Sequence, residues 1–163
     1  MVETARFISV IGAGMASDEQ LEQARQVGLL LAQAGYGVVT GGLGGVMAAA
    51  SQGAAEAGGL TMGILPGNSR REANPWCQVV VPSGLGQARN VLVVQTGLGV
   101  IAVGGGPGTL SEIGHALKIE RPVVSLGSWE VAGVGKAKNP QQAVEMLLQM
   151  VGDWQPNGAL FSD

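Results

Sequence analysis

A glycine-rich stretch at residues 104–109, Gly-Gly-Gly-Pro-Gly-Thr, has the composition of an anion-binding loop. It follows the apolar run Val100–Val103, which predicts a buried strand, and it precedes Leu110, Ile113 and Leu117, which recur at helical spacing. Glycines let backbone N–H groups approach a ligand closely, and a helix N-terminus adds unpaired donors and partial positive charge. The stretch therefore predicts a phosphate or anion site.

Two further glycine-rich stretches follow predicted strands. Residues 41–45 follow the strand predicted at Tyr36–Thr40, and residues 12–14 follow the first strand. The latter resemble the dinucleotide fingerprint, but Ser17 stands in place of its third glycine and no carboxylate ends the second strand, which disfavours NAD. Backbone groups of the three stretches are expected to hold a phosphorylated ligand: Gly12, Gly14, Gly41, Gly42, Gly44, Gly45, Gly105, Gly106, Gly108 and Thr109.

Arg89 and Glu112 are the charged side chains nearest to these stretches in the predicted fold. Arg89 is the single charged residue between Ala73 and Ser111. If it is buried, it needs an anion, which a phosphate or Glu112 would supply, and a position on the wet face of its helix is an equal alternative. Glu112 has capping-box spacing from Thr109, which predicts a structural role. The alternative is a general acid or base that also stabilises an oxocarbenium ion.

The helix that carries Glu112 has two predicted faces. Taking Leu110, Ile113 and Leu117 as the core face, Glu112 is expected to point away from the core. Ile119 then forms a second apolar patch, which suits a subunit interface with the site at its edge.

Other reactive side chains carry weaker predictions. His115, the only histidine, is expected to fill a surface or an interface, with a catalytic base as the alternative. Cys77 is expected to be a small buried hydrophobe. Arg70 and Arg71 are expected to be solvated, with a mobile clamp over the ligand as the alternative.

The composition excludes several classes of function. Charged residues make up only 13% of the 163 residues, which indicates surface buried against a partner subunit, and the net charge of −3 disfavours nucleic acid. One cysteine excludes an internal disulfide, and no His, Cys and Asp cluster predicts a metal site. Without a signal peptide or a membrane-length apolar run, we expect a soluble cytoplasmic protein with no membrane contact.

The elements that must position these residues alternate between strand and helix. This pattern predicts one α/β domain over residues 1–163, a Rossmann-like, doubly wound parallel sheet with helices on both faces and ligands beyond the carboxyl ends of the strands. The predicted strands are Phe7–Ile11, Tyr36–Thr40, Leu60–Leu65, Gln78–Val81, Gly99–Val103 and Pro122–Leu126. The predicted helices are 17–34, Val46–Ala57, Leu85–Thr96, Thr109–Ile119 and Pro140–Val151, with loops at Pro66–Trp76 and Gly127–Lys138.

Residues 104–112 resemble the Pro-Gly-Gly-x-Gly-Thr-x-x-Glu signature of the "Lonely Guy" cytokinin riboside monophosphate phosphoribohydrolases, with Gly104 in place of the proline. The family's arginine stands at the position of Arg89, and its Gly-Gly-x-x-Gly-Leu-Met segment is similar to residues 41–47. This resemblance covers about residues 6–126. It implies Arg89 and Glu112 as catalytic residues, and it adds Met47 to the ligand site.

Three other segments are more similar to a subgroup that contains the molybdenum cofactor carrier protein and DprA/Smf-related bacterial proteins. They are Gly63–Gly67, Ala73–Pro75 and Gly86–Asn90, and the last adds Asn90 to the ligand site. The phosphoribohydrolases usually carry basic residues at the positions of Asn90 and Gln95. The loss of these two basic residues disfavours hydrolysis but leaves the prediction of phosphate binding unchanged.

The resemblance therefore implies a protein that binds a phosphorylated purine- or pterin-type molecule. Hydrolysis of the N-glycosidic bond of nucleoside 5′-monophosphates is the enzymatic form of this function. A non-catalytic carrier of molybdenum cofactor, or a nucleotide sensor, is the alternative. No cofactor is required for the chemistry, and molybdenum cofactor would be a carried ligand. A homodimer or homotetramer is expected.

Overall fold

Seven parallel strands form one sheet in the computed structural model, which describes residues 3–153. The strands are β1 (Phe7–Gly12), β2 (Gly37–Thr40), β3 (Thr61–Leu65), β4 (Val79–Pro82), β5 (Val100–Val103), β6 (Val123–Leu126) and β7 (Gly135–Ala137). The helices are α1 (Asp18–Gln33), α2 (Val46–Glu56), α3 (Arg89–Thr96), α4 (Pro107–Lys118) and α5 (Pro140–Asp153), with short 3-10 turns at Arg70–Glu72 and Gly86–Ala88.

Helices cover both faces of the sheet. One core cluster joins α1, α2 and α5 to strand residues such as Ile8 and Val10, and the other joins α3 and α4 to residues such as Ile11 and Val39. Because both faces of these strands are buried, the strands are nearly continuous apolar runs rather than alternating ones. The predicted doubly wound α/β sheet is confirmed.

The strand order places the ligand crevice. The sheet runs β4-β3-β2-β1-β5-β6-β7, so the chain builds outward from β1 to β4 and then returns to the other side of β1. The topological switch point lies between β1 and β5, where the loops after these strands diverge. The glycine-rich stretches at residues 12–14 and 104–106 follow those two strands.

Two glycines bring α1 and α2 into close contact. A Cβ on Gly28 would lie 2.0 Å from the carbonyl oxygen of Ala50, and one on Gly53 would lie 1.8 Å from that of Arg25. The backbones touch there because neither helix has a side chain at the crossing. This crossing holds the loops that precede the two helices side by side.

Most predicted boundaries shift by one or two residues, and three differences from the sequence-based prediction change an element or the start of a site helix. The loop predicted at Gly127–Lys138 contains β7, a three-residue edge strand too short and too polar to give an apolar signal. Helix α3 begins at Arg89, after a 3-10 turn, and not at Leu85. Helix α4 begins at Pro107 and not at Thr109, because proline suits the first helical position, where its missing N–H costs nothing.

No helix among residues 3–153 combines the length and the apolar character that crossing a membrane requires.

Candidate functional site

The N-terminus of α4 presents free backbone donors. Gly106 is the N-cap, Pro107 follows it, and no side chain caps the helix. The first helical hydrogen bond runs from the Leu110 N–H to the Gly106 carbonyl at 3.1 Å, so the N–H groups of Gly108 and Thr109 precede the helical ladder. These are the donors that the glycine-rich stretch at residues 104–109 was expected to supply.

The capping box predicted for Thr109 and Glu112 is wrong. Thr109 is the third residue of α4 rather than its N-cap, and it is buried. Glu112 therefore has no capping role at this helix end, because Gly106 occupies the cap position. The predicted core face is also rotated, since Thr109, Ile113 and Ala116 are buried while Leu110 is 37% exposed. Glu112 is half-buried at the border of the core and does not point away from it.

The N-terminus of α2 presents a second set of donors. Gly45 is its N-cap with φ +63°, and no side chain caps the helix. The Val46 N–H donates to the Ala13 carbonyl at 3.1 Å, and the helical ladder begins with the Ala49 N–H on the Gly45 carbonyl. The N–H groups of Met47 and Ala48 precede that ladder.

Residues 41–45 are held in place by two polar side chains. Thr40 accepts the Gly42 N–H on its hydroxyl at 3.1 Å. Asn74 donates its backbone N–H to the Gly42 carbonyl at 2.9 Å and its side-chain amide to the Leu43 carbonyl at 3.0 Å. Sequence reasoning did not assign Asn74 a role, and its only signal was the Ala73–Pro75 segment of the family resemblance.

The glycines of the three stretches fall into two groups. The first group is crowded by the chain itself, since an added Cβ would lie less than 3 Å from other protein atoms: Gly12, Gly41, Gly42, Gly45, Gly104 and Gly105. The second group has no atom within 3.5 Å of such a Cβ: Gly14, Gly44, Gly106 and Gly108. Packing within the chain explains the first group, whereas close approach of a ligand would explain the second.

Arg89 is a buried cation, 6% exposed, at the N-terminus of α3. It donates from Nη2 to the Gly41 carbonyl at 3.3 Å and from Nη1 to Oδ1 of Asn90, while its Nε–H has no partner. Among residues 3–153 it forms no ion pair, and burial lowers its pKa, opposed by the charge of Glu112. Arg89 is thus not on a solvent-exposed helix face, and no anion among the described residues pairs with its buried charge.

Glu112 lies within electrostatic range of Arg89. Burial raises the pKa of the Glu112 carboxyl to about 7, and the positive charge of Arg89 opposes that rise. A carboxyl group with this pKa exchanges a proton near neutral pH, which suits a general acid or base.

The Met47 side chain lies beside Arg89 and Gly41. A Cβ added to Gly41 would be 2.7 Å from both Met47 Sδ and Arg89 Nη2. The structure therefore brings Gly41, Met47, Arg89 and Asn90 together, with Glu112 near them. The stretch at residues 12–14 lies beside Gly45, whose Cβ would lie 2.4 Å from the Gly14 carbonyl oxygen.

The weaker candidates lie elsewhere or have structural contacts. Arg70 donates to the Val80 carbonyl on the edge strand at 3.0 Å, and Arg71 is exposed. His115 is half-buried with no hydrogen-bond partner on Nε2. Cys77 is half-buried rather than fully buried, and burial raises the pKa of its thiol.

Trp129 is a site neighbour that the sequence analysis missed. Its indole Nε1–H donates to the carbonyl of Gly106 at 3.0 Å, and the residue is 39% exposed. Trp129 lies between β6 and β7, in the segment predicted as an undistinguished loop, and no motif pointed to it.

A cavity of about 600 Å³ opens between α1 and α2, and it does not include Arg89 or Glu112. Its cation is Arg25, which is already paired with Glu22 at 2.9 Å and Glu56 at 2.6 Å. The cavity is lined by Gly14, Met15, Ala16, Asp18, Leu21, Glu22, Arg25, Gly45, Ala48, Ala49 and Gln52. No cluster of three or more His, Cys, Asp or Glu side chains that could hold a metal ion occurs in the described part of the chain.

Residues 5–152 match the model of the SLOG cluster4 family. The chain belongs to the SLOG cluster4 family. This SLOG cluster4 chain is 41% identical over 142 residues to an uncharacterised protein of Archaeoglobus fulgidus, covering 86% of the chain and 93% of that relative.

Two solved structures extend the comparison of this SLOG cluster4 chain. The molybdenum cofactor binding protein of Rippkaea orientalis has a TM-score of 0.86 at 35% identity, covering 92% of this chain and 99% of that one. The molybdenum cofactor carrier protein of Chlamydomonas reinhardtii has a TM-score of 0.83 at 34% identity, covering 90% and 99%. The family resemblance stated from the sequence motifs is confirmed.

Proposed function

We propose that this chain binds molybdenum cofactor, a phosphorylated pterin, by its phosphate and carries it without transforming it. The observation that carries the proposal is Arg89, a buried guanidinium whose Nε–H lacks a partner, which contacts the glycine-rich stretch leading to the uncapped N-terminus of α2. A phosphate supplies the anion that this cation lacks, and arginine–phosphate hydrogen bonds are charge-assisted.

The free donors at the N-termini of α4 and α2 suit a phosphate monoester. Free N–H groups of Gly108 and Thr109 on α4, and of Met47 and Ala48 on α2, add hydrogen bonds and the positive ends of two helix dipoles. Gly106 and Gly108 leave the space around the α4 donors free of side chains. Binding by these groups needs no reactive side chain, which agrees with carriage of an unchanged ligand.

The solved relatives favour the carrier function over the hydrolase. Both are described by their relation to molybdenum cofactor, at 35% and 34% identity over nearly their whole lengths. Asn90, where the phosphoribohydrolases usually carry a basic residue, accepts a hydrogen bond from Arg89 and so adds no positive charge.

Retention of the ligand tests this proposal. The protein is incubated with molybdopterin and passed through a desalting column, and the oxidised pterin in the protein fraction is quantified by fluorescence. We expect near-stoichiometric retention by the wild type and loss of most of it in Arg89→Ala. Arg6→Ala is the matched control, because Arg6 lies 5.0 Å from the Tyr36 ring centroid at the amino ends of the strands. Equal retention by Arg89→Ala and Arg6→Ala would contradict the proposal.

A nucleoside 5′-monophosphate phosphoribohydrolase is the second candidate, and the pKa of Glu112 near 7 favours it. Loop amides and Arg89 would hold the 5′-phosphate, while Glu112 would stabilise the ribosyl cation and activate water. Incubation with a nucleotide panel and chromatography for free base separates the two functions. Base release that falls about 10²- to 10⁴-fold in Glu112→Gln would establish the hydrolase. No base release, together with retained molybdopterin, supports the carrier.

A further inference from the structure

The indole of Trp129 is fixed to the N-terminus of α4. Its Nε1–H donates to the Gly106 carbonyl at 3.0 Å, the same oxygen that accepts the first helical hydrogen bond from Leu110. The chain before it is also held, because the Ser128 N–H donates to the Ser125 hydroxyl at 3.1 Å. The indole is therefore held beside the first turn of α4, at the same helix end as the free Gly108 and Thr109 donors.

Trp129 has exposed ring surface that a ligand can contact. The residue is 39% exposed although its polar edge is already used by Gly106, so apolar ring surface remains uncovered. Other aromatic residues within 3–153 lie away from the α4 terminus. Phe7 is in the core, Tyr36 precedes β2, and the Trp76 carbonyl contacts Thr61 at the start of β3.

We propose that Trp129 is the stacking platform for the heteroaromatic ring of the phosphorylated ligand, an inference that rests on the proposed function. The phosphate would lie on the Gly108 and Thr109 amides, and the ring would lie against the indole next to Gly106. Indole faces stack on any planar heteroaromatic ring, so this contact selects ring-bearing phosphates over sugar phosphates. The ligand class is therefore a pterin or purine joined to a phosphate by a short linker.

Two substitutions separate stacking from the hydrogen bond to Gly106. Trp129→Phe keeps an aromatic face and removes the Nε1–H donor, whereas Trp129→Ala removes both. If the indole only holds Gly106 in place, both variants weaken every phosphate ligand alike. If the ring stacks, Trp129→Ala weakens ring-bearing ligands selectively and Trp129→Phe retains most of that selectivity.

Calorimetric titration with two probes tests the inference. Guanosine 5′-monophosphate carries the 2-amino-4-oxopyrimidine ring that pterins share, and ribose 5-phosphate is the same molecule without the base. We expect the wild type to bind guanosine 5′-monophosphate at least about tenfold more tightly. Trp129→Ala should remove the preference for guanosine 5′-monophosphate over ribose 5-phosphate while leaving the affinity for ribose 5-phosphate unchanged. Arg89→Ala should weaken both probes.

The outcomes distinguish the inference from the proposed function. Arg89-dependent binding of ribose 5-phosphate with an unaltered probe ratio in Trp129→Ala overturns the stacking platform alone. An equal loss for both probes in Trp129→Ala overturns it as well, since the indole then acts through Gly106. No binding of either probe, with no retention of molybdopterin, overturns the site and the platform together.

A fluorescence measurement keeps the test decisive if Trp129→Ala fails to fold. The sequence has three tryptophans, and Trp129 is the one that remains in the Trp76→Phe/Trp154→Phe double variant. Stacking predicts that guanosine 5′-monophosphate quenches its emission at saturation while ribose 5-phosphate does not. Identical responses to both probes would overturn the platform.

Discussion

Arg89 and Glu112, on adjacent helices, each oppose the pKa shift that burial imposes on the other. Burial raises the pKa of Glu112 to about 7 and lowers that of Arg89, and their mutual attraction reduces both shifts. The pair nevertheless forms no direct ion pair among the described residues, so neither charge is fully compensated. A bound phosphate would be attracted by Arg89 and repelled by ionised Glu112.

Binding of a phosphate monoester should therefore depend on the protonation of Glu112. As pH rises through about 7, Glu112 ionises and repels the ligand. Glu112→Gln stays neutral, so it should bind ribose 5-phosphate several-fold more tightly than wild type above pH 7 and equally below about pH 6. Calorimetric titrations of both proteins from below pH 6 to above pH 7 measure the ratio of their affinities for ribose 5-phosphate. Ionisation of the phosphate affects both affinities alike and cancels in this ratio. A ratio that does not change with pH would contradict a Glu112 at the binding site.

Protein stability should follow the same titration. The pKa of Glu112 is raised from 4.5 in the unfolded chain to about 7 in the folded one, so folding favours the neutral carboxyl. The stabilisation of the folded state by the neutral Glu112 carboxyl is complete below pH 4.5, and it is lost as pH rises through about 7. The free energy of unfolding of Glu112→Gln, relative to wild type, should rise between about pH 4.5 and about pH 7. Urea unfolding of both proteins without ligand checks this, and a constant difference would refute it.

The two groups of glycines should respond differently to substitution. Gly108→Val places its side chain in open space in the first turn of α4, so stability should be nearly unchanged while phosphate binding is lost. Gly45→Ala places a Cβ 2.4 Å from a backbone carbonyl at φ +63°, so it should cost about 2 kcal/mol or more of stability. Thermal unfolding with and without phosphate ligand separates these effects. Undiminished ligand stabilisation in folded Gly108→Val would contradict the α4 donor site.

Self-association stays a prediction, and the exposed apolar side chains available for it lie on and beside α3 and α4. Leu85, in the segment before α3, is 53% exposed, and Val91 on α3 and Leu110 on α4 are 36% and 37% exposed. Ile119, which the sequence predicted to form the apolar patch, is instead half-buried against the adjacent core cluster. We expect a dimer or larger assembly in sedimentation at micromolar concentration. Leu110→Asp should shift it toward the monomer, because a charge would then need burial at the interface. A monomeric wild type would show that the low charge content has another cause.

The sheet and its glycine loops were predictable because their signals are local. Apolar runs mark β1, β2, β3, β5 and β6, and glycines mark the turns that follow them. β7 was missed because three polar and small residues at a sheet edge give no such run. Helix starts were less predictable, as Pro107 competed with the capping-box pattern of Thr109 and Glu112, and the proline geometry prevailed.

The contacts between loops were not predictable from spacing. The burial of Arg89 was an open alternative, because it depends on how α3 packs beside the loop after β2. Trp129 gave no local signal and Asn74 gave only its place in the Ala73–Pro75 segment. Asn74 and Trp129 act through hydrogen bonds to backbone carbonyls that lie 31 and 23 residues away in the sequence, respectively. Such long-range contacts depend on the strand order.

A crystal structure of the protein with bound molybdopterin tests the central claim most directly. We expect the phosphate within hydrogen-bond distance of the Gly108 and Thr109 N–H groups, with the Arg89 guanidinium facing it. The part of the cavity between α1 and α2 that surrounds Arg25, which is already paired with Glu22 and Glu56, should hold no ligand. Molybdopterin bound around Arg25, with Arg89 and the α4 N-terminus free, would contradict the proposed site.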